Sequence, residues 1–171
     1  MGRTVLLSGQ PGVGKTTLIQ KIIAMMPGRW GGFYTQEIRG KAARLGFEIV
    51  TLDGHRTLLA HVDKPGSPRV GKYGVYVENV DSVAVPALYR AVAESDYVVI
   101  DEIGKMELLS EAFRAAVLYA VQSPKTVLGT VIWQKHPWAD ALKNMPGVSV
   151  LTVTLANRQR LLDQILPLLA G

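Results

Sequence analysis

Residues Gly9 to Thr16 read Gly-Gln-Pro-Gly-Val-Gly-Lys-Thr and match the phosphate-binding pattern G-x-x-x-x-G-K-[ST]. Such a loop wraps backbone N–H groups around phosphates at a helix N-terminus, where unpaired donors and the macrodipole both favour negative charge. Gly9, Gly12 and Gly14 allow backbone angles and close approaches that a Cβ would block, Lys15 would neutralise the β- and γ-phosphates, and the Thr16 hydroxyl would ligate Mg²⁺. Gln10, Pro11, Val13 and Thr17 complete the candidate nucleotide-binding stretch. A Gly-Pro turn before an ordinary helix would share much of this composition, so the flanks decide. Thr4 to Ser8 predict a strand before the loop, and Leu18, Ile19, Ile22, Ile23 and Met26 recur at helical spacing until Pro27-Gly28.

The second constellation is Tyr97-Val98-Val99-Ile100-Asp101-Glu102, an apolar strand ending in two carboxylates, which is the form of a Walker B segment. Asp101 at the strand tip suits Mg²⁺ held beside Thr16, making these two the candidate metal ligands. Glu102 is the candidate general base that polarises an attacking water, a role worth roughly 10²–10⁴-fold. Asp-Glu after a strand is ordinary by itself and gains meaning from the phosphate loop. A cation at the transferring phosphoryl group would help further. Lys105 ranks first by proximity and Arg39 second, each against the plain reading of a surface charge. Asn157 and Arg158, opening the last helix, are candidates for contact with base or ribose, although Asn157 would serve equally as a helix cap. Met25, Met26 and Met106 read as core filler, and His55, His61 and His136 lack metal-ligand spacing.

The elements that must position these groups follow from patterning. Gly31 to Arg39 predicts a strand entered through glycines, and Phe47–Leu52 and Thr57–Val62 flank an Asp53-Gly54 hairpin turn. Pro65 to Pro68 predicts a loop and Lys72 to Val77 a strand, so residues from about 31 to 78 form an antiparallel β insert. A helix is expected from about Val83 to Glu94, capped by Asp81 or Ser82. Strands at Tyr97–Asp101, Thr126–Ile132 and Val148–Val153 then alternate with helices at about Ser110–Gln122, Trp138–Lys143 and Asn157–Leu168. That order implies an α/β fold of three layers, with a mostly parallel central sheet covered on both faces. Residues 1–171 read as one domain. Ligands bind beyond the carboxyl ends of such strands, which places Gly9–Thr16, Asp101-Glu102, the stretch after Ile132 and Asn157-Arg158 on one edge.

Composition sets the bounds. The 171 residues are 48% hydrophobic and 19% charged, enough for a core that removes roughly 70% of the unfolded surface from water. No apolar run approaches the ~20 residues that span a bilayer, so no membrane partner is expected. The absence of cysteine excludes disulfides, thiolate metal sites and cysteine nucleophiles and fits a reducing cytoplasm. A first strand beginning near Thr4 leaves no room for a signal peptide, and the expected location is cytoplasmic. A monomer fits the sequence, which does not fix the oligomeric state. Of the net charge of +5, most sits between Arg39 and Lys72, where seven cations face three anions. Nucleotide phosphates or a nucleic acid would explain that excess, as would a solvated hairpin surface.

Extended to Asp101-Glu102-Ile103-Gly104-Lys105-Met106-Glu107-Leu108, with Ser110 and Phe113 beyond, the chain resembles the small nucleoside triphosphatases of bacteria, archaea and vertebrates, whose vertebrate member is called the cancer-related nucleoside triphosphatase. Gly32-Phe33-Tyr34-Thr35 with Glu37 and Arg39, Gly46-Phe47, Val70-Gly71-Lys72-Tyr73 with Val75, and Asn157-Arg158 carry the likeness from end to end. The resemblance implies a RecA-like or kinase-like P-loop NTPase fold. It implies Mg²⁺-dependent hydrolysis of nucleoside 5′-triphosphates such as ATP and GTP to diphosphate and phosphate, with broad base tolerance. It also implies nucleotide-binding roles for Gly9–Thr16 and for the segment from Tyr97 to Gly104, Ile103 included. Two other functions share parts of the pattern. A nucleotide or nucleoside kinase would use the same loop, but Ile132 to Trp138 carry Lys135 without the arginines of a kinase lid. A nucleic-acid-linked ATPase would use the basic insert, with Phe47, Tyr73 and Tyr76 as stacking surfaces.

Overall fold

A strand buried on both faces must send apolar side chains alternately up and down, and the parallel strands here do so. In the computed structural model, which describes residues 2–171, β1 (Thr4–Ser8) is buried throughout. Its Val5 and Leu7 pack against α1 (Lys15–Met25) and α6 (Arg158–Ala170), whereas Leu6 faces the opposite layer. β7 (Tyr97–Ile103) and β8 (Thr126–Val131) repeat the pattern, with Val99 and Leu128 on the first face and Val98, Ile100 and Val127 on the second. The second face is covered by α3 (Val85–Glu94), α4 (Glu111–Gln122) and α5 (Pro137–Lys143). This is the expected three-layer α/β arrangement.

The remaining strands are β2 (Trp30–Arg39), β3 (Arg44–Thr51), β4 (Arg56–His61), β5 (Arg69–Val70), β6 (Tyr73–Val75) and β9 (Val148–Thr152). Among the described residues they form one nine-stranded sheet in the order β5-β6-β4-β3-β2-β7-β8-β1-β9. The five strands from β2 to β9 in that order are mutually parallel, and the other four are antiparallel. The insert is therefore a continuation of the central sheet. β2 is the junction, pairing parallel with β7 over Trp30–Tyr34 and antiparallel with β3 over Phe33–Arg39. β8 lies between β1 and β7, so the phosphate loop and the Asp101-Glu102 tip stand one strand apart on the same edge.

Several boundaries differ from expectation: β3 begins at Arg44 rather than Phe47, and the strand expected over Lys72–Val77 is limited to β6, with Val77 already helical. The helix expected from Val83 begins at α2 (Val77–Asn79) and continues through a π-helical stretch, Val80–Ala84, into α3. Val80, Ala84 and Leu88 are fully buried along it, so packing against the insert strands extends the helix past its sequence signals. Asp81 and Ser82 lie inside this run and cap nothing; Asp81 accepts a hydrogen bond from the Ser110 hydroxyl. β5 is only two residues long, too short for any periodicity to announce. No helix among the described residues is long and apolar enough to cross a membrane.

Gly32 shows why the junction strand is entered through glycine. Its φ is +114°, and a Cβ there would stand 2.0 Å from the Val99 carbonyl oxygen across the β2–β7 pairing. Gly32→Ala is expected to destabilise the fold by about 3 kcal/mol, near the top of the ordinary single-substitution range. Urea unfolding with an unchanged slope and a lowered midpoint would establish it; a midpoint equal to the parent's would contradict it.

Candidate active site

β1 delivers the chain to the loop at Gly9, where a Cβ would come within 2.5 Å of the Val153 carbonyl oxygen. Gly12 and Gly14 have φ of +83° and +97°, left-handed angles that turn the chain back into α1. The Lys15 ammonium lies on the loop itself, donating to the carbonyls of Gly9 at 2.5 Å and Gln10 at 3.3 Å. Burial lowers its pKa, while Glu102 and Asp101 pull it back up. Val13 packs on the core beneath the loop, and Gln10, Pro11, Gly12 and Thr17 are exposed.

The second motif is shaped by an irregularity. Between Ile100 and Ile103, β7 takes three steps where β8 takes two, from Gly129 to Val131. This bulge falls on Asp101 and Glu102, and a bulge re-aims side chains that strict alternation would send to opposite faces. Asp101 is buried, with Oδ1 accepting from the Thr130 hydroxyl at 2.7 Å and Oδ2 left without a partner. Burial raises its pKa against the pull of Thr130, Thr16 and Lys15. Glu102 is half-buried, and its pKa is raised by burial and then by the Asp101 charge, with Lys15 opposing.

The side chains converge on a cleft of about 670 Å³ lined by Lys15, Thr16, Tyr34, Arg44, Phe47 and Glu102. A second cavity of about 430 Å³ lies on the other side of Gly14, against Thr17, Lys21, Arg158, Gln159 and Leu162. A third, of about 230 Å³, adjoins Glu102 and is lined by Lys105, Gly104 and Glu107 among others. The expected site residues divide accordingly. Lys15, Thr16, Asp101 and Glu102 come together, Arg158 reaches Gly14, and Lys105 is exposed beside Glu102.

Several expected residues stand elsewhere. Val98, Val99, Ile100 and Ile103 are fully buried in the core and line none of these three cavities. Tyr97 starts β7 at the far edge, stacked on Trp30 with ring centroids 4.7 Å apart. Arg39 does not line the cleft, and its guanidinium is spent on Glu37 at 3.0 Å. Asn157 gives its amide to the preceding turn, donating to the Thr152 carbonyl and accepting from the Thr154 N–H, without capping α6 by its side chain. His136 caps α5, and Met25 is exposed rather than core filler.

Sequence reasoning passed over three residues that shape this edge. Arg44 enters the cleft with its Nε on the Tyr73 hydroxyl at 2.8 Å and Nη1 on Glu37 at 3.0 Å, its guanidinium 4.9 Å from the Phe47 ring centroid. Thr130 holds Asp101, and Glu107 is buried beside Glu102. A Cβ at Gly104 would lie 2.5 Å from Glu102 Oε1 and 3.1 Å from Glu107 Oε1, so this glycine leaves room for two neighbouring carboxyls. Only the run of acids in Asp101 to Glu107 hinted at Glu107; nothing local marked the other two.

The insert's charge is matched only in part within it. Arg39 and Arg44 share Glu37, Arg56 pairs with Glu48, and Arg69 donates to the neutral carbonyls of Lys64 and Lys72. Lys64 lies over the Tyr76 ring, while Tyr73 is buried between Phe47, Arg44 and Lys72.

Comparison with known proteins gives a consistent result. The model of a family described as NTPase matches residues 4–166. The nucleoside-triphosphatase THEP1 of Thermotoga sp. strain RQ2 is 44% identical over 165 residues, covering 96% of this chain and 94% of that protein. The same-named protein of Methanocaldococcus jannaschii is 40% identical, covering 98% of each. Among solved structures, THEP1 of Aquifex aeolicus superposes with a TM-score of 0.89 at 35% identity, covering 98% of this chain and 99% of that one. A human cancer-related nucleoside triphosphatase superposes with a TM-score of 0.79 at 40% identity, covering 97% and 96%.

Glu107 yields a stability test. Burial first, then the Glu102 charge, pushes its carboxyl well above the ordinary glutamate range, against N–H groups of the backbone. The folded state therefore keeps a proton that the unfolded chain releases, and stability falls as pH rises above the ordinary glutamate value. Glu107→Gln keeps an acceptor oxygen and removes the ionisation. Its thermal midpoint is expected to exceed the parent's at pH 8, with the gain shrinking towards pH 4. A midpoint below the parent's at pH 8 would mean that the fold favours the charged carboxylate.

Proposed function

Since the chain belongs to the NTPase family, we propose that it hydrolyses nucleoside 5′-triphosphates to diphosphate and phosphate, with Mg²⁺ and with broad base tolerance, in the cytoplasm. The observation that carries the reading is the convergence of Lys15, Thr16 and Glu102 on one cleft, with the buried Asp101 carboxylate close enough to feel Thr16 and Lys15.

The residues fit a hard divalent cation. Asp101 Oδ2 is buried without a hydrogen-bond partner, and Thr16 is the hydroxyl that opens α1 beside it. One carboxylate with one hydroxyl suits Mg²⁺, an ion usually held by one or two carboxylates with waters and substrate phosphates. When bound, it would neutralise charge on the β- and γ-oxygens.

The protein's own groups do the rest. Backbone N–H groups of the loop cradle the phosphates, and Lys15 turns from the Gly9 and Gln10 carbonyls to the phosphate oxygens. Glu102 takes the proton of the attacking water; its raised pKa makes it a stronger base than an exposed glutamate once ionised. Arg44, held in orientation by Glu37 and Tyr73, faces the same cleft and is the cation we assign to the transferring phosphoryl group, ahead of Lys105 and Arg39. On the other side of Gly14, Arg158, Gln159 and Leu162 offer a flat cation, an amide that both donates and accepts, and an apolar surface. Such a set accepts any base.

Phosphate release from ATP, GTP, CTP and UTP with Mg²⁺ tests the reading. Lys15→Ala should weaken nucleotide binding and turnover together. Glu102→Gln should keep nucleotide affinity and lose at least ~10²-fold in kcat; normal turnover in that variant would move the base elsewhere. For the cation, Arg44→Ala should lose on the order of 10³-fold or more in kcat, the scale of an arginine finger, and Arg39→Ala only a few-fold. The reverse order would return the role to Arg39.

A further inference from the structure

We propose that the cavity of about 230 Å³ adjoining Glu102 is an acceptor site for a compact, uncharged hydroxyl compound, which receives the γ-phosphoryl group in competition with water. The proposal rests on the hydrolytic reading of the same centre and adds a second acceptor to it.

The cavity and the phosphate cleft share Pro11, Lys15, Thr35, Phe47 and Glu102, so the two meet at the reacting end. Away from that seam Leu59, Val70, Met106, Val131 and Ile132 form an apolar side, completed by the polar groups of Lys105, Glu107 and Gln134. A water held at Glu102 makes no use of the apolar side, which offers a carbon frame a surface to pack on.

Charge and size narrow the occupant. Glu102 offsets Lys105, and Lys15 serves the γ-phosphate, so no free cation remains in the cavity for a second anion such as a nucleotide or sugar phosphate. Lys105 and Gln134 stand on exposed positions. The volume lies below the roughly 300 Å³ at which pockets for drug-sized ligands begin, which excludes bulky acceptors. A small alcohol with an apolar body satisfies each condition, its hydroxyl directed at Glu102 and its carbon frame against Leu59 and Val70.

The step balances without any further reactant. The alcohol oxygen bonds to the γ-phosphorus while the bond from that phosphorus to the β,γ-bridging oxygen breaks, and its electron pair leaves on the nucleoside diphosphate. The hydroxyl proton passes to Glu102 and then to solvent. The products are a phosphomonoester and the diphosphate.

The test follows the label of γ-³²P-ATP in the full-length protein with Mg²⁺ and millimolar benzyl alcohol, cyclohexanol or 1,4-butanediol. At least one alcohol is expected to give labelled monoester that saturates with its concentration and lowers phosphate release in step. Val70→Trp, which narrows the cavity outside the phosphate machinery, should cut monoester yield at least ~10-fold while phosphate release changes less than about threefold. Label in inorganic phosphate alone with every alcohol would overturn the proposal and leave the hydrolase reading intact. Monoester formation undiminished in a folded Val70→Trp would also overturn it, by placing the alcohol elsewhere. If Val70→Trp fails to fold, the wild-type partition of label decides alone. An absence of phosphate release from the wild type without alcohol would instead contradict the hydrolase reading.

Discussion

Three carboxyl groups held together away from water are the constraint around which this molecule is built. Asp101 and Glu107 are buried and Glu102 is half-buried, with the Lys15 ammonium as the cation against them. Burial raises each carboxyl's pKa, and the neighbouring acids push Glu102 and Glu107 further in the same direction. A cluster of this kind costs folding free energy. The large apolar core on both faces of the sheet offsets that cost, and fully buried Val98, Val99 and Ile100 carry the chain directly into the acids. The same tension equips the site for work, since a divalent cation and a proton in transfer are what such a cluster lacks.

Glu102 stands where spaces of different chemistry meet. On one side is a polar cleft with the loop, Lys15, Thr16 and Arg44; on the other is a cavity with an apolar side formed by Leu59, Val70, Val131 and Ile132. The loop and its cations draw a polyanion to the first. The bulge in β7 makes this double exposure available, because without the extra residue one of two consecutive acids would face the wrong side of the sheet.

The β insert takes its meaning from what it presents to this edge. Two of its acids pair with three of its arginines, while Lys64, Arg69 and Lys72 rest on rings or carbonyls and keep their charge. Because the insert continues the central sheet through β2, Thr35, Arg44 and Phe47 are carried rigidly to the cleft. Glu37 and Tyr73 then fix the Arg44 guanidinium, which limits the entropy lost when it meets a ligand.

Much of this was legible in the chain alone. The phosphate loop is contiguous, and its glycines, lysine and threonine act through local backbone geometry, so eight residues in a row were enough to identify it. The alternation of strands and helices likewise encoded the layered fold and placed Asp101 and Glu102 at the ligand edge, because burial on two faces is written into periodicity. What only the tertiary structure decided depends on partners distant in sequence. The bulge exists in the pairing with β8, Arg44 owes its orientation to Glu37 and Tyr73, Thr130 holds Asp101 from another strand, and Arg39 is withdrawn by Glu37. Val98 to Ile100 read from the chain as ligand contacts, whereas in the fold they are fully buried behind the acids and Tyr97 lies against Trp30 at the start of the strand. A local motif states which chemistry is possible, whereas the direction in which each side chain points is set by cross-strand neighbours that no local pattern records.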